Sequence, residues 1–195
     1  TLVGNVLDLE TLSVGNFINV VILCVFVGFA EEFLCRGWLQ NEFIERYGDT
    51  RKNVLTSIIL SSLIFGFMHV VNLGFQNVFE TLLQIINACA LGLLLGSVYY
   101  KTKNIWAVIF LHAFYDFSIF VGEMNLIKDC TYNIPTTGVV IVNSIEILII
   151  SALWILGAIY VLKKCNFPDK RASRKKNSTV VLLTIIAFIL CFVPF

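Results

Sequence analysis

The amino-acid sequence predicts an all-α, polytopic transmembrane helical bundle. Of the 195 residues, 58% are apolar and only 14% are charged, and the mean hydropathy is +0.86. A chain of this length has more apolar surface than one soluble core could hide. The apolar residues also fall into long stretches, each near the roughly 20 residues that a helix needs to cross a bilayer.

We predict six membrane-spanning helices in a single membrane domain that covers residues 1–195. Polar connections separate the apolar stretches, as expected where the chain leaves the bilayer. The first helix is apolar only as far as residue 35. The predicted helices cover residues 17–44, 54–71, 77–100, 105–122, 138–162 and 179–195.

Composition also bears on partners and on the cysteines. The formal net charge of +1 gives no reason to expect nucleic acid. The partner that the composition predicts is the lipid bilayer. The six cysteines form no C-x-x-C pair, and we interpret them as small core residues.

The placement of the basic residues predicts how the chain crosses the membrane. From the first connection to the fifth, Lys and Arg number three, none, two, one and seven. Because Lys and Arg are retained on the cytoplasmic side, we expect the first, third and fifth connections there. The first residues of the chain then lie outside, and we therefore expect a further helix before them.

We single out eight acidic, basic or histidine residues within the predicted helices. Such residues are costly in lipid and normally face a cavity or a polar partner, so each is a candidate for function. Glu80 lies near a helix start, where an acidic side chain suits the helix dipole, and Glu146 is more simply explained by a hydrogen bond between helices. The other six are Glu31, Glu32, Arg36, His69, His112 and Asp116.

The chain has two histidines, and both lie in apolar helices. One histidine in such a place usually hydrogen-bonds a neighbouring helix and has no further role. His69 in "FGFMHV" and His112 in "FLHAFYDF" are each accompanied by other polar groups within the membrane. This pattern favours a shared site.

Helical spacing divides the charges of the stretch "GFAEEFLCRGW". Residues four apart share a helix face, so Glu32 and Arg36 can form an ion pair that lets both enter the membrane. Glu31 points about 100° away and remains as a separate carboxylate. The same spacing places two further pairs on one face each: Phe65 with His69, and His112 with Asp116.

Depth tests whether these residues can meet. Counted at about 1.5 Å per residue, Glu31 lies about 8 Å from the cytoplasmic end of its apolar stretch, and His112 about 10 Å inside Ile105. The depth of His69 agrees less well with these two values. It is about 22 Å, or about 16 Å if the helix enters the membrane near Ile58. In the second case the connection "NLGFQN" is expected to be partly buried or to line a cavity.

Three motifs resemble those of the CAAX protease and bacteriocin-processing family of intramembrane proteases, also called the CPBP or Abi family. "EEFLCR" is similar to its E-E-x-x-x-R motif, "FGFMH" to F-x-x-x-H, and "HAFYD" to H-x-x-x-N or H-x-x-x-D. They follow in order on three predicted membrane helices and include both histidines. The resemblance covers about residues 17–122.

The resemblance implies an intramembrane endopeptidase of the CAAX prenyl protease type, with a cavity open to the cytoplasm and the membrane. By matching positions, Glu31 would be the general base and His69 its partner. His112 and Asp116 would bind or orient the substrate carbonyl, and Glu32 with Arg36 would hold the first helix in place. The family often has asparagine where this chain has Asp116, which instead could accept a hydrogen bond from His112.

Metal dependence stays open at this point. Glu31, His69 and His112 would supply three ligands and leave a fourth position for water, as catalytic Zn²⁺ requires. The chain has no H-E-x-x-H, the helical signature of a zinc protease.

The expected substrate is a peptide or a lipid-modified protein, cleaved at a bacterial plasma membrane from the cytoplasmic side. The alternative is a membrane protein without protease activity. It could be an immunity or accessory factor with the same fold, or a proton-coupled transporter that uses the buried carboxylates and histidines as a relay.

Overall fold

Regular structure is entirely helical in residues 14–128 and 137–168, the part of the chain that the computed structural model describes. One long helical segment comes first and changes type twice without a break. The elements in chain order are α1 (Val14–Glu32), a π-helix (Phe33–Gln40), α2 (Asn41–Tyr47), α3 (Arg51–Met68), a 3-10 helix (His69–Gly74), α4 (Val78–Thr102), α5 (Ile105–Lys128) and α6 (Thr137–Lys163).

The predicted polytopic helical bundle is confirmed. Within the described residues, four helical segments are long and apolar enough to cross a membrane, and a shorter apolar helix covers Ile105–Phe120. The predicted helix at 179–195 lies outside the described residues. The four longer segments are Phe17–Tyr47, Arg51–Gly74, Val78–Thr102 and Val140–Lys163.

Large apolar side chains cover the outside of the bundle. Phe26 on α1 is 69% exposed, and Leu156 on α6 is 61% exposed. Surfaces of this kind are unfavourable in water and suit lipid chains. The chain is an integral membrane protein.

Helix α4 lies at the centre of the described bundle, where it packs extensively against α3 and α6, while α1 packs against α5. The α1–α5 contact is close because Gly28 has no side chain. A Cβ at Gly28 would lie 3.1 Å from the backbone nitrogen of Ala113 and 3.1 Å from the carbonyl oxygen of Ile109. Glu31 and His112 lie within one helical turn of this contact.

The π-helix was not predicted from the sequence. It follows directly after Glu32 and buries Cys35, Arg36, Leu39 and Gln40. Gln40 donates a hydrogen bond to the carbonyl oxygen of Gly96 on α4 at 3.0 Å. Such wide turns occur often at functional sites, because they re-aim the side chains of a helix.

The connection "NLGFQN" is only partly as expected. Asn72 is half-buried, whereas Leu73 and Phe75 are exposed. The backbone nitrogens of Phe75 and Gln76 donate to the carbonyl oxygen of Asn72 at 2.8 and 2.7 Å. These bonds satisfy backbone groups that lipid could not.

Candidate active site

One cavity of about 200 Å³ gathers four of the six predicted site residues. They come from three segments that are distant in the sequence: α1, the 3-10 helix after α3, and α5. The four residues are Glu31, His69, His112 and Asp116. The other two, Glu32 and Arg36, are fully buried beside it.

The predicted ion pair between Glu32 and Arg36 is present. Arg36 Nη1 donates to Glu32 Oε1 at 2.6 Å, and both side chains have no exposed surface. Arg36 Nη2 also donates to the carbonyl oxygen of Gly92 on α4 at 3.2 Å. A Cβ at Gly92 would lie 3.2 Å from Arg36 Nη2, so glycine leaves room for the guanidinium.

Glu32 has a second partner that helical spacing could not predict. His112 Nδ1 lies 2.9 Å from Glu32 Oε1, the same oxygen that accepts from Arg36. An ionised carboxylate only accepts hydrogen bonds, so the proton of the bond belongs to Nδ1. Glu32 therefore fixes both the orientation and the tautomer of the His112 ring.

The other ring nitrogen of His112 faces the remaining carboxylates. His112 Nε2 lies 3.7 Å from Glu31 Oε2 and 3.5 Å from Asp116 Oδ2. Glu31, which spacing separated from the ion pair, is the α1 carboxylate that lines the cavity. One water molecule at hydrogen-bond distance from both Glu31 and His112 would complete a triangle with these atoms.

His69 lines the same cavity. Its Nδ1 lies 3.1 Å from the carbonyl oxygen of Phe65, one turn earlier in the chain. A carbonyl oxygen only accepts, so Nδ1 carries the proton and Nε2 is the nitrogen with the lone pair. Both histidines are therefore held at Nδ1, one by a carboxylate and one by the backbone.

Phe65 lies between the two histidines. Its ring meets that of His69 edge-on at 5.6 Å and that of His112 edge-on at 5.5 Å. The guanidinium of Arg36 lies 4.6 Å from the centre of the same ring. The phenylalanine of the F-x-x-x-H motif thus has a defined structural task, which is to pack against three polar residues of the site.

The first helical segment is longer than its apolar stretch. It continues through the π-helix and α2 to Tyr47, sixteen residues after Glu31. Glu31 and His112, for which the sequence predicts similar depths, lie close together, with Glu31 Oε2 3.7 Å from His112 Nε2.

Two amide side chains in the cavity wall were not predicted. Asn72 Nδ2 donates to Gln84 Oε1 at 2.8 Å, and both residues line the cavity. The zero net charge of these amides kept them out of a search for ionisable groups. Glu146, the weaker candidate on α6, is not among the described lining residues.

The predicted metal ligands lie among the described residues. Within residues 14–128 and 137–168, no group of three or more His, Cys, Asp or Glu side chains is arranged to hold a metal ion. Glu31, His69 and His112 line the same cavity, and dependence on Zn²⁺ stays a prediction.

Comparison with known proteins identifies the family of this chain. The sequence profile of the Rce1-like family, described as type II CAAX prenyl endopeptidase Rce1-like, matches residues 13–118. No curated protein and no solved structure gives a significant match. The matched range includes all three motifs and every residue of the cavity described above except Phe120. The chain belongs to the Rce1-like family of type II CAAX prenyl endopeptidases.

Proposed function

We propose that this protein is an intramembrane endopeptidase that hydrolyses a peptide bond with water activated by Glu31. The observation that carries the proposal is that Glu31, His69, His112 and Asp116 line one small cavity within the bundle. Peptide hydrolysis needs a base for water and donors for the developing oxyanion, and this set of residues contains both kinds of group.

In the proposed reaction, Glu31 accepts a proton from water while the water oxygen bonds to the carbonyl carbon of the substrate. His69 holds this water from the other wall through Nε2. When the carbon–nitrogen bond breaks, the proton on Glu31 passes to the leaving amine. Glu31 returns to its starting state, and one water is consumed for each bond cleaved.

His112 binds the substrate carbonyl in this proposal, and Asp116 orients the His112 ring. With Nδ1 donating to Glu32, a doubly protonated His112 ring donates from Nε2 to the carbonyl oxygen. The carboxylates of Glu32, Asp116 and Glu31, at 2.9, 3.5 and 3.7 Å, provide the counter-charge that such a ring needs. Donors aimed at the developing charge in a site with little water are effective in lowering the barrier.

Glu32 and Arg36 are positioning residues in this proposal. Neither lines the cavity, and Glu32 reaches it only through His112. Arg36 neutralises Glu32 and links it to α4 through Gly92. Their contribution is to hold the α1 carboxylate and the α5 histidine at fixed positions, as efficient catalysis requires.

The proposed substrate is a peptide or a lipid-modified protein that reaches the site within the membrane. The family name specifies prenylated proteins with a CAAX terminus. Apolar residues such as Val27, Val71 and Phe120 share the cavity wall with the polar groups. A wall of this composition can accommodate an apolar chain beside a peptide backbone.

The test is cleavage of a farnesylated CAAX peptide by purified protein in detergent, with products identified by mass spectrometry. Glu31→Gln keeps the size of the side chain and removes the base, so it should lower the rate by about 10²–10⁴-fold. Glu80→Gln is the matched control, because Glu80 is exposed at the start of α4. This variant should cleave at the wild-type rate.

Equal cleavage by wild type and Glu31→Gln would contradict the proposed mechanism. If the wild type leaves a broad set of lipid-modified and unmodified peptides intact, the non-catalytic alternative stands instead. A proton-coupled transporter would show a third pattern, with substrate uptake into proteoliposomes and no cleavage.

A further inference from the structure

Two amide side chains in the cavity wall have no task in the proposed reaction. Asn72 lies on the 3-10 helix and Gln84 on α4, and both are half-buried residues that line the cavity. Gln84 is the one described lining residue that α4 contributes. Polar groups inside a membrane bundle are costly unless they have hydrogen-bond partners, so the two amides require an explanation.

The two amides satisfy each other only in part. Asn72 Nδ2 donates to Gln84 Oε1 at 2.8 Å, and within the described part of the chain this is the one hydrogen bond that either side chain makes. A side-chain amide has a carbonyl oxygen and two N–H groups. The pair therefore still offers Asn72 Oδ1 as an acceptor and Gln84 Nε2 as a donor. One acceptor beside one donor is the complement of the N–H and C=O groups of a peptide backbone.

Asn72 lies one turn beyond His69 on the same side of the 3-10 helix. Such a helix has about three residues per turn and rises about 2 Å per residue, so the two residues are about 6 Å apart along its axis. An extended peptide rises about 3.3 Å per residue. The amide pair is therefore about two residues of extended chain away from the bond cleaved beside His69.

We propose that Asn72 and Gln84 bind the backbone of an extended peptide substrate about two residues from the scissile bond. Asn72 Oδ1 accepts from a substrate N–H, and Gln84 Nε2 donates to a substrate carbonyl oxygen. This inference rests on the proposed endopeptidase function and adds a substrate-binding site to it. The substrate is then an extended segment with an unsubstituted amide at that position, recognised by its backbone and not by a particular side chain.

The surroundings of the amide pair suit this task. Met68 and Val71, just before Asn72 in the chain, also line the cavity and are apolar. Hydrogen bonds in surroundings of low dielectric constant are stronger than in water. The 3-10 helix also packs against α4, so both amides lie on helical segments that hold them in place. Binding groups on regular elements are more precisely positioned than groups on loops.

Replacement of single substrate amides by esters tests the assignment. The probe is the farnesylated CAAX peptide of the cleavage assay, with one N–H at a time replaced by an ester oxygen outside the scissile bond. In the wild type, the ester about two residues from the scissile bond should lower kcat/KM by about three- to tenfold, because one hydrogen bond is lost. Esters at other positions should have smaller effects.

Variants of the pair show whether the lost bond is the one to Asn72. Asn72→Leu has a similar shape without the acceptor. It should lower kcat/KM for the all-amide peptide by about three- to tenfold, and the ester at the paired position should then cause no further loss. Gln84→Met should also cleave the all-amide peptide less efficiently. Gln76→Met is the matched control, because Gln76 is exposed and is not among the described lining residues. It should match the wild type with every peptide.

A purely structural role of Asn72 would give a different result. Asn72→Leu would then lower kcat/KM equally for all peptides, and the ester effects would be the same as in the wild type. That outcome overturns the inference. An ester scan of the wild type without a sensitive position outside the scissile bond also overturns it, and this second measurement needs no variant.

Binding is measured separately from cleavage. Fluorescence anisotropy of a labelled all-amide peptide with Glu31→Gln gives Kd without turnover, and adding Asn72→Leu should raise Kd by about three- to tenfold. If the wild type cleaves and no ester position is coupled to Asn72, the inference fails alone. If the peptide is bound and never cleaved, the endopeptidase function fails and the Kd values decide the inference. A peptide that is neither bound nor cleaved overturns both.

Discussion

Glu32 Oε1 and His112 Nδ1 are joined at 2.9 Å across 80 positions of sequence. The same Glu32 oxygen accepts from Arg36 Nη1. This bond links the motif on α1 directly to the motif on α5. Glu32 is therefore a connector between two helices as well as the partner of an arginine, and its replacement should affect both.

The Glu32–Arg36 pair should be strongly coupled in stability. Arg36→Met leaves Glu32 buried without its cation, which should lower the free energy of unfolding by about 3–5 kcal/mol. The double variant Glu32→Gln/Arg36→Met should lose less than Arg36→Met alone. Thermal unfolding in detergent of both single variants and the double variant measures the coupling. Additive effects would contradict it, and Glu80→Gln controls for loss of an exposed carboxylate.

Asp116 should tolerate an amide and not an apolar side chain. Asp116→Asn keeps a hydrogen-bonding group near His112 Nε2, which lies 3.5 Å from Asp116 Oδ2, and should keep the cleavage rate within about tenfold, or about 1.4 kcal/mol. In Asp116→Leu the new side chain has a similar shape without polar atoms, and the cleavage rate should fall by about 10²-fold or more. Equal rates for the two variants would show that Asp116 has no polar role.

Gly28 should be intolerant of even one methyl group. In Gly28→Ala the new Cβ would meet backbone atoms of α5 at 3.1 Å, which a rotamer change cannot relieve, and overpacking of this kind costs about 1–3 kcal/mol. The shift of α1 against α5 should also lower the cleavage rate. Gly15→Ala on the same helix is the matched control, because its Cβ would have no atom within 4 Å. Comparable unfolding temperatures and rates for the two variants would count against this packing.

Phe65 should matter more than its apolar area suggests. Phe65→Leu keeps an apolar side chain but removes the edge-on contacts with both histidines, each worth about 0.5–1.5 kcal/mol. The expected result is a lower unfolding temperature together with a lower cleavage rate. Phe67→Leu on the same helix is the control, because Phe67 is 59% exposed on the outside of the bundle. If both variants behave alike, the ring of Phe65 is only filling space.

Much of the fold followed from hydrophobic length alone, because lipid leaves few options for an apolar stretch of about 20 residues. The Glu32–Arg36 pair was predictable because it depends on spacing within one helix. The bond between Glu32 and His112 was not, since one sequence contains no information about which distant helices meet. The sequence identified the site only as six candidate residues. Three-dimensional packing was needed to show that four of them line the cavity and that Glu32 and Arg36 are buried beside it.

The π-helix was missed because its stabilising partners lie far away in the sequence. The apolar pattern of the first predicted helix, residues 17–44, ends near Cys35. In the structure the helix continues with buried polar residues, because α4 supplies carbonyl partners for Arg36 and Gln40. A polar helix end of this kind can be recognised only when its partners are known.

The long-range bonds of Arg36 have a consequence for biogenesis. Arg36 leaves the ribosome before its acceptor on Gly92, which follows 56 residues later, and before His112. Until those helices arrive, the first segment has buried charges without the interhelical partners that stabilise them, and charged residues resist transfer into lipid. The Glu32–Arg36 pair can form within the first segment alone, whereas the bonds to Gly92 and His112 can form only after α4 and α5 have been synthesised, so the network around Arg36 is completed late in assembly.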